Sequence, residues 1–393
     1  MKIAIYGGSF NPPHCGHIEA ARAVAELLEP DKLIIIPASM PPHKELAGGS
    51  PDALERLELT RLAFAEIPNA EVSDIEILRE GKSYSADTLE QLMKLYPDAE
   101  FTFAMGSDML LSFEEWYRFR FLLDNMTLGV FCRNEGEDAR VLEHAEYLTK
   151  QYGAKCVFIN LAPKPMSSSD IRDMLPRRCG ASYLPEDVYA RIIKNGDYDA
   201  KPELYWLREK AYEMLAPKRV AHVVGCEAEA VSLAQHWGED PEDAAEAGIL
   251  HDITKKLVLS DQLILCRKYG IINDTAEEEN VKLLHAKTGA ALARELFNIS
   301  DRVYDAIRWH TTGKPDMTLL EKIIYMADYI EPNRDFEGVD KLRKLAYEDL
   351  DAAMALGLEM SLEDIRSYGQ EPYYATADAY EWYKQKRRYT NCF

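Results

Sequence analysis

The sequence predicts an α/β domain built on a parallel sheet, followed by an all-helical domain. Three observations lead there. Short apolar runs rich in β-branched residues recur through the first half, segments with helical spacing lie between them, and after about residue 200 the β runs stop. From Pro202 onward the pattern is almost entirely 3.6-periodic, with Ala, Leu, Glu and Lys dominating. A chain of 393 residues is longer than one core usually serves, so two domains of about 150 to 200 residues are expected.

The apolar runs are KIAIY (2–6), KLIIIPA (32–38), FTFAM (101–105), LGVFC (128–132) and CVFIN (156–160). Helical spacing marks Ala20 to Leu28, Ala53 to Ala65, Ala86 to Tyr96 and Ala139 to Tyr152. Strands alternating with helices predict βαβ units and a mostly parallel sheet covered on both faces. Ligands of such a sheet sit at the carboxyl ends of its strands. The stretch KNGDYDAKPEL (194–204), rich in Gly, Asp and Pro, reads as the seam. It divides the chain into domains at 1–197 and 203–393, with no internal repeat and no low-complexity tract.

The net charge of −21 argues against non-specific binding to nucleic acid or an anionic membrane, because both need a basic surface. Phosphate-bearing ligands must then be met by local donors. The seven cysteines never occur as C-x-x-C, and the opening MKIAIYGG lacks the apolar region and cleavage site of a signal peptide. A reduced cytoplasmic protein is expected, and no apolar run reaches the length of a membrane span.

The segment GGSFNPPHCGH (7–17) places His14 and His17 where a strand turns into a helix, after Gly7 and Gly8 allow a close backbone approach. A helix start offers unpaired N–H groups and partial positive charge, which attract phosphate rather than a cation. Two imidazoles with no acidic third ligand nearby make a poor metal site, but as donors they suit charge developing on phosphoryl oxygens. The bland rival is a pair of turn histidines with no role.

GGSFNPPHCGH resembles the H-x-G-H signature of the nucleotidyltransferase superfamily. PPHK (41–44), SYSADTL (83–89), GSDMLLSFEEWY (106–117), FCR (131–133) and SSSDIR (167–172) follow in the order and spacing of bacterial nicotinate mononucleotide adenylyltransferase. One departure is Ser85, where that family commonly has Thr.

The resemblance covers about 195 residues and implies a Rossmann-like fold that transfers AMP from ATP to nicotinate mononucleotide. The products would be deamido-NAD and pyrophosphate. The substrate's own phosphate attacks, so catalysis is positioning plus charge stabilisation. It implies ATP contacts from Gly7, Gly8, Ser9, Phe10, His14, His17, Gly106, Asp108, Ser168, Ser169 and Arg172. Asn11, Lys44, Ser83, Tyr84, Ser85, Thr88, Trp116 and Tyr117 would meet the nicotinate nucleotide. Lys44 and Arg133 would add positive charge, and Mg²⁺ would be held mainly by the triphosphate and water. For Trp116 the rival reading is core packing, and for Arg133 a surface ion pair.

The helical half hides charge on apolar stripes. Val303, Ala306, Ile307 and His310 recur at i, i+3, i+4 and i+7, so His310 lies on a buried stripe. Asp328 continues Leu320, Ile323, Ile324 and Ala327 and would be a buried carboxylate, costly unless paired or bound to metal. His285, His222 and the pair His251–Asp252 share apolar helices in the same way. Imidazoles and carboxylates converging from several helices suit a first-row transition metal, with Fe, Mn, Co, Zn and Ni all open on ligand type.

His222, then His251–Asp252, then Asp328 reproduces the H…HD…D signature of the HD-domain phosphohydrolases. LLHAKTG with His285 and RWHTTG with His310 resemble the two-metal subgroup. AGILHDITKK, AIRWHTTG and YMADYIEPNRDF are similar to the symmetrical diadenosine tetraphosphate hydrolases, from about residue 205 to 385. This resemblance implies a helical bundle with all six residues as ligands of two metal ions, iron foremost, and cleavage of diadenosine tetraphosphate to two ADP. Lys255 and Arg334 would meet its phosphates, although a solvated helix lysine is the plainer reading of Lys255. His144 and His236 belong to neither motif and read as surface residues.

Three rival functions stand beside this reading, one of them, the sensing module, from another class. The first half acts on another phosphate acceptor as a related nucleotidyltransferase, or the second half senses a nucleotide, or hydrolyses a different one. The residues leave open the native metal, a homo-oligomer and communication between the sites.

Overall fold

The computed structural model describes residues 1–40, 46–79, 81–132, 135–161, 166–271 and 274–390, with backbone alone at 132, 135–138 and 387–390. Contacts divide the chain into two compact units, Met1–Lys201 and Pro202–Phe393.

The first unit carries six parallel strands, β1 (Lys2–Gly8), β2 (Lys32–Pro37), β3 (Ala70–Val72), β4 (Glu100–Gly106), β5 (Met126–Cys132) and β6 (Lys155–Asn160). Their order is β3-β2-β1-β4-β5-β6, the doubly wound order whose direction reverses between β1 and β4 and opens a crevice there. Five strands are expected from sequence and found; β3 is additional. Its AEV run is too short to show a period and sits at the sheet edge, paired only through Leu33–Ile35 of β2.

The helices of this unit are α1 (Cys15–Leu28), α2 (Ala53–Phe64), α3 (Ser85–Leu95), α4 (Ser107–Leu111), α5 (Phe119–Asn125), α6 (Glu135–Tyr152), α7 (Ser168–Met174) and α8 (Glu186–Asn195). Leu89 and Leu92 of α3, Leu122 of α5 and Leu148 of α6 pack with Ile3, Ile5, Phe101, Phe103 and Leu128 of the sheet. The alternate residues Ala4, Tyr6, Leu33 and Ile35 are buried too. Both faces are therefore covered, which is why these strands read as continuous apolar runs rather than alternating ones.

The expected seam is stitched into the first unit. Tyr198 is buried; its hydroxyl donates to Asn11 Oδ1 at 2.8 Å and its N–H to the Gly49 carbonyl at 2.8 Å. The composition of 194–204 signals a turn, but the one aromatic in it is an anchor.

The second unit contains α9 (Leu204–Met214), α10 (Pro217–Trp237), α11 (Pro241–Leu250), α12 (Leu259–Tyr269), α13 (Thr275–Glu278), α14 (Val281–Phe297), α15 (Asp301–Trp309), α16 (Leu319–Ile330), α17 (Val339–Glu348), α18 (Leu350–Ser367) and α19 (Tyr374–Thr390). Starts are set by side-chain caps that satisfy otherwise unpaired N–H groups. Asp240 caps α11, Asn280 caps α14, Ser300 caps α15, and Thr318 with Glu321 forms a capping box on α16. Gly238, at φ 77°, ends α10 in the left-handed region that glycine enters without cost. α10 packs on α11 and α16, and α14 on α15. Among the described residues no helix is long and apolar enough to cross a membrane.

Candidate active sites

In the first unit a cavity of about 240 Å³ opens at the carboxyl ends of β1, β2 and β4, and Gly7, Gly8, Ser9, Ser83, Tyr84, Ser85, Thr88, Trp116 and Tyr117 all line it. Trp116 is half-buried. One part of it packs on Phe103 and Phe113, with centroids 5.9 and 5.0 Å away, and the rest faces the cavity. Trp116 thus packs on the core and lines the cavity at once. Tyr117 lies 4.8 Å from the ring of Tyr84, giving the cavity lining an aromatic pair.

His14 is the N-cap of α1 and His17 its third residue. Nδ1 of His14 accepts the Gly16 N–H at 3.1 Å, and Nδ1 of His17 accepts the His14 N–H at 3.1 Å. A ring nitrogen that accepts carries no proton, so both hydrogen bonds place the proton on Nε2. The rings lie 3.8 Å apart. Such a pair presents N–H donors beside the positive end of a helix, and suits an anion.

Other expected residues brace this site. Arg172 donates to the Asn11 carbonyl at 2.5 Å and to Ser169 Oγ at 3.0 Å, while Ser168 Oγ donates to the Pro12 carbonyl at 3.0 Å. These bonds dock α7 on the loop before His14. The carboxylate of Asp108 folds back over Gly106, where a Cβ would lie 2.5 Å from its Oδ1. Lys44 and Arg133 lie outside the described residues.

Three expected contacts are narrowed by the structure. Phe10 is fully buried against Tyr6, Phe64 and His17, so its ring supports the site from behind and does not face a ligand. Asn11 is buried, with its amide donating to Ser50 and its oxygen held by Tyr198. Thr88 donates to Glu76 Oε1 at 2.6 Å and accepts from Arg79, so its hydroxyl is engaged within the protein.

Sequence reasoning misses Arg56, which is 0% exposed. It donates to the carbonyls of Ser9 at 3.0 Å, Ala38 at 2.7 Å and Ser39 at 2.8 Å, tying the loop after β1 to the loop after β2. On a helix that also carries Glu55, Glu58 and Arg61, nothing but burial distinguishes it from a surface arginine. Glu76, also on the cavity wall, is missed too; burial pushes its carboxyl above the usual range.

In the second unit the six expected ligands come together. His222 is on α10, His251 and Asp252 follow the end of α11, His285 is on α14, His310 ends α15 and Asp328 is in the last turn of α16. His222 Nε2 is 3.0 Å from Asp328 Oδ1 and 3.3 Å from His251 Nε2. His285 Nε2 is 3.1 Å from His310 Nε2. Asp252 spans the two pairs, with Oδ2 3.4 Å from His251 Nε2 and Oδ1 3.2 Å from His285 Nε2 and 3.6 Å from His310 Nε2. Asp328 keeps 18% of its side chain exposed, less buried than its stripe predicts, because it stands at the helix end.

Three of these rings share one anchor. Nδ1 of His251 donates to the Gly248 carbonyl, Nδ1 of His285 to Lys282 and Nδ1 of His310 to Ile307, each at 2.7 Å. A carbonyl only accepts, so the proton is on Nδ1 and the Nε2 lone pairs face one another. Burial pushes His285 down to about 4 and lowers His310 as well. Burial opposes ionisation of Asp252, yet the imidazoles around it hold its carboxyl well below the usual range. Asp252 Oδ1 is buried without a hydrogen-bond partner. Facing lone pairs around an unpartnered carboxylate oxygen fit a divalent metal ion, and His222, His251 and Asp328, and separately His251, Asp252 and His310, lie close enough to share one.

Cations ring the same carboxylates. Arg219, absent from the sequence reading, donates through Nε to Asp252 Oδ2 at 2.5 Å. Arg334 donates to Asp328 Oδ1 at 2.7 Å. Lys255 lies 2.9 Å from His285 Nε2 and 3.7 Å from Asp252 Oδ1, so the solvated-lysine reading is set aside. Thr311 touches Nε2 of both His285 and His310. His236 is exposed as expected, on the Tyr347 carbonyl; His144 is half-buried beside Glu114.

Comparison with known proteins agrees with this division. Residues 5–174 match the cytidylyltransferase-like family and residues 219–333 the HD domain, which defines a nucleotidyltransferase-type α/β domain joined to a metal-binding HD domain. A probable nicotinate-nucleotide adenylyltransferase of Carboxydothermus hydrogenoformans is 37% identical over 198 residues, 50% of this chain and 98% of that protein. The symmetrical bis(5'-nucleosyl)-tetraphosphatase of Bacillus subtilis is 38% identical over 173 residues, 43% of this chain and 91% of that protein. A probable nicotinate-nucleotide adenylyltransferase/Ap4A hydrolase of Mycoplasma genitalium is 28% identical over 369 residues, 91% of this chain and 97% of that protein. The chain belongs to the nicotinate-nucleotide adenylyltransferase family in its first half and to the symmetrical bis(5'-nucleosyl)-tetraphosphatase family in its second.

Proposed function

We propose that this chain is a bifunctional enzyme, with an adenylyltransferase domain over 1–197 that makes deamido-NAD from ATP and nicotinate mononucleotide. The other domain, over 203–393, cleaves diadenosine tetraphosphate to two ADP. One observation supports both halves: the ring nitrogen that carries the proton. At His14 and His17 it is Nε2, a donor for phosphate; at His251, His285 and His310 it is Nδ1, leaving Nε2 for metal.

In the first half the nicotinate ring stacks on Trp116 and meets Tyr84, Ser85 and Tyr117, and Gly7, Gly8 and Ser9 admit the nucleotide. The acceptor's phosphate attacks the α-phosphorus of ATP and pyrophosphate leaves. His14, His17 and Arg172 stabilise the charge on the phosphoryl oxygens, with Lys44 and Arg133 adding to it, Asp108 holding the adenosine ribose and Mg²⁺ travelling with ATP.

In the second half His222, His251, Asp252, His285, His310 and Asp328 would hold two metal ions, iron foremost. Metal bound there supplies Lewis acidity toward a phosphoanhydride and makes water nucleophilic at neutral pH. Asp252 stays ionised between the two pairs of histidines. Arg219, Lys255 and Arg334 supply the cationic contacts for the substrate's phosphates.

The test is incubation of the purified chain with diadenosine tetraphosphate and Fe²⁺ or Mn²⁺, with products separated by anion exchange. ADP alone is expected. Equal AMP and ATP would place the cut at the wrong bond, and intact substrate would favour the sensing module. For the first half, pyrophosphate release is compared with nicotinate mononucleotide, nicotinamide mononucleotide and phosphopantetheine as acceptors; faster release with phosphopantetheine would overturn the assignment.

A further inference from the structure

We infer that Glu331 is a positioning residue that makes the two metal positions unequal, holding His222 as the stronger imidazole ligand in a space that Gly225 opens for it. The inference rests on the metal-hydrolase reading of the site. Three of the four histidines are anchored by main-chain carbonyls. His222 differs: its Nδ1 meets a carboxylate, Glu331 Oε1, at 3.0 Å. A carboxylate behind an imidazole fixes the ring and strengthens Nε2 as a ligand.

Glu331 is 1% exposed, and a buried carboxylate persists only when its oxygens are satisfied. Its Oε2 accepts the Asn333 N–H at 2.7 Å and the Asn333 amide at 2.9 Å. That amide also donates to the Ala221 carbonyl at 3.1 Å, next to His222 in α10. With Oε2 held in this way, Oε1 is directed at the imidazole.

A second observation comes from α10 itself. Glycine inside a helix is destabilising relative to alanine and calls for a packing reason. A Cβ at Gly225 would stand 2.3 Å from Glu331 Oε2 and 3.0 Å from Asn333 Nδ2. Gly225 lies one turn beyond His222, so the missing side chain is the cradle of the carboxylate. The ion held by His222, His251 and Asp328 is therefore the tighter one, and the ion on the His285 and His310 side the looser.

The test uses the full chain loaded with Mn²⁺, desalted, and measured for bound metal and for the spin-coupled signal of a metal pair. Wild type is expected to bind two ions with distinct affinities. Glu331→Gln keeps the shape and removes the charge; it should weaken one ion by about 10- to 100-fold, leave the other, and erase the coupled signal. Gly225→Ala should do the same by displacing Glu331. Adenylyl transfer unchanged in both variants checks that the chain is folded. Two ions held undiminished in both variants, or equal loss of both ions, would overturn the inference while leaving the metal reading intact. Wild type that holds no metal would overturn both.

Discussion

Nε2 of His285 and Nε2 of His310 face each other at 3.1 Å with both protons on the opposite nitrogens. Two lone pairs at that distance repel, so the arrangement is favourable only with a cation or a donor beside them; Lys255 Nζ, 2.9 Å from His285, and the Thr311 hydroxyl, 3.2 and 3.1 Å from the two rings, are the donors at hand. Metal removal should then abolish hydrolysis and spare transfer. Chain stripped by a chelator, dialysed and resupplied with Mg²⁺ alone should retain deamido-NAD synthesis and lose cleavage of diadenosine tetraphosphate, with Mn²⁺ or Fe²⁺ restoring it. Asp252→Ala, which removes the carboxylate between the two pairs, should lower hydrolysis by about 10³-fold or more. Adenylyl transfer should stay within about twofold of wild type, as expected for residues that share no partners because they lie in separate units.

Trp116 has one part on Phe103 and Phe113 and another on the cavity. Trp116→Ala should raise KM for nicotinate mononucleotide by about 10-fold or more, from lost stacking and burial, with KM for ATP little changed. Trp116→Phe should recover most of the loss. Equal rises in both KM values would mean the ring supports the fold of the site and not one substrate.

The fold and the six residues that cluster as candidate ligands are legible because both leave periodic traces. Apolar runs such as KLIIIPA announce a sheet buried on both faces, and a histidine at the i+7 position of an apolar stripe, as at His310, has no bland explanation once three other histidines and two aspartates lie on apolar helices as well. Arg56, Arg219 and Glu331 leave no such trace. Arg219 precedes His222 by three residues on a helix, where an arginine is ordinarily solvated, and Arg56 sits in a helix whose neighbours Leu57 and Leu59 are as buried as it is. Their roles depend on which loop or helix from elsewhere in the chain comes to lie against them, and local sequence does not encode that.

Arg56 carries the next prediction. Its guanidinium joins three carbonyls from two loops that line the cavity, in a setting where an unsatisfied buried carbonyl costs about 1–3 kcal/mol. Arg56→Met should destabilise the first unit by about 3 kcal/mol or more and raise KM for both nucleotides, because Ser9 and Ala38 lose their common tether. Arg56→Lys, with one ammonium in place of a fork, should recover stability only in part. Urea unfolding followed by amide exchange in β1 and β2 measures both.

Asp197 supplies a pH dependence. Burial, then the nearby carboxylate of Glu55, pushes its carboxyl up to about 6, whereas in the unfolded chain a value of about 3.9 applies. A carboxyl whose folded value is raised contributes stability that is fully present below about pH 4. That contribution fades as pH rises and is lost above about 6. Near neutrality the fold therefore holds a carboxylate in a place that penalises its charge. Asp197→Asn keeps an oxygen for the Asn195 amide, 3.5 Å away, and removes the charge. The variant should be more stable than wild type by about 1–2 kcal/mol at pH 7.5, allowing for solvent screening of a half-buried group, and equal to it near pH 4. Urea unfolding of the full chain at the two pH values, read from amide exchange in α8, checks the sign. A variant no more stable at pH 7.5, or one whose gain persists unchanged at pH 4, would show that the charge of Asp197 is not what the fold resists.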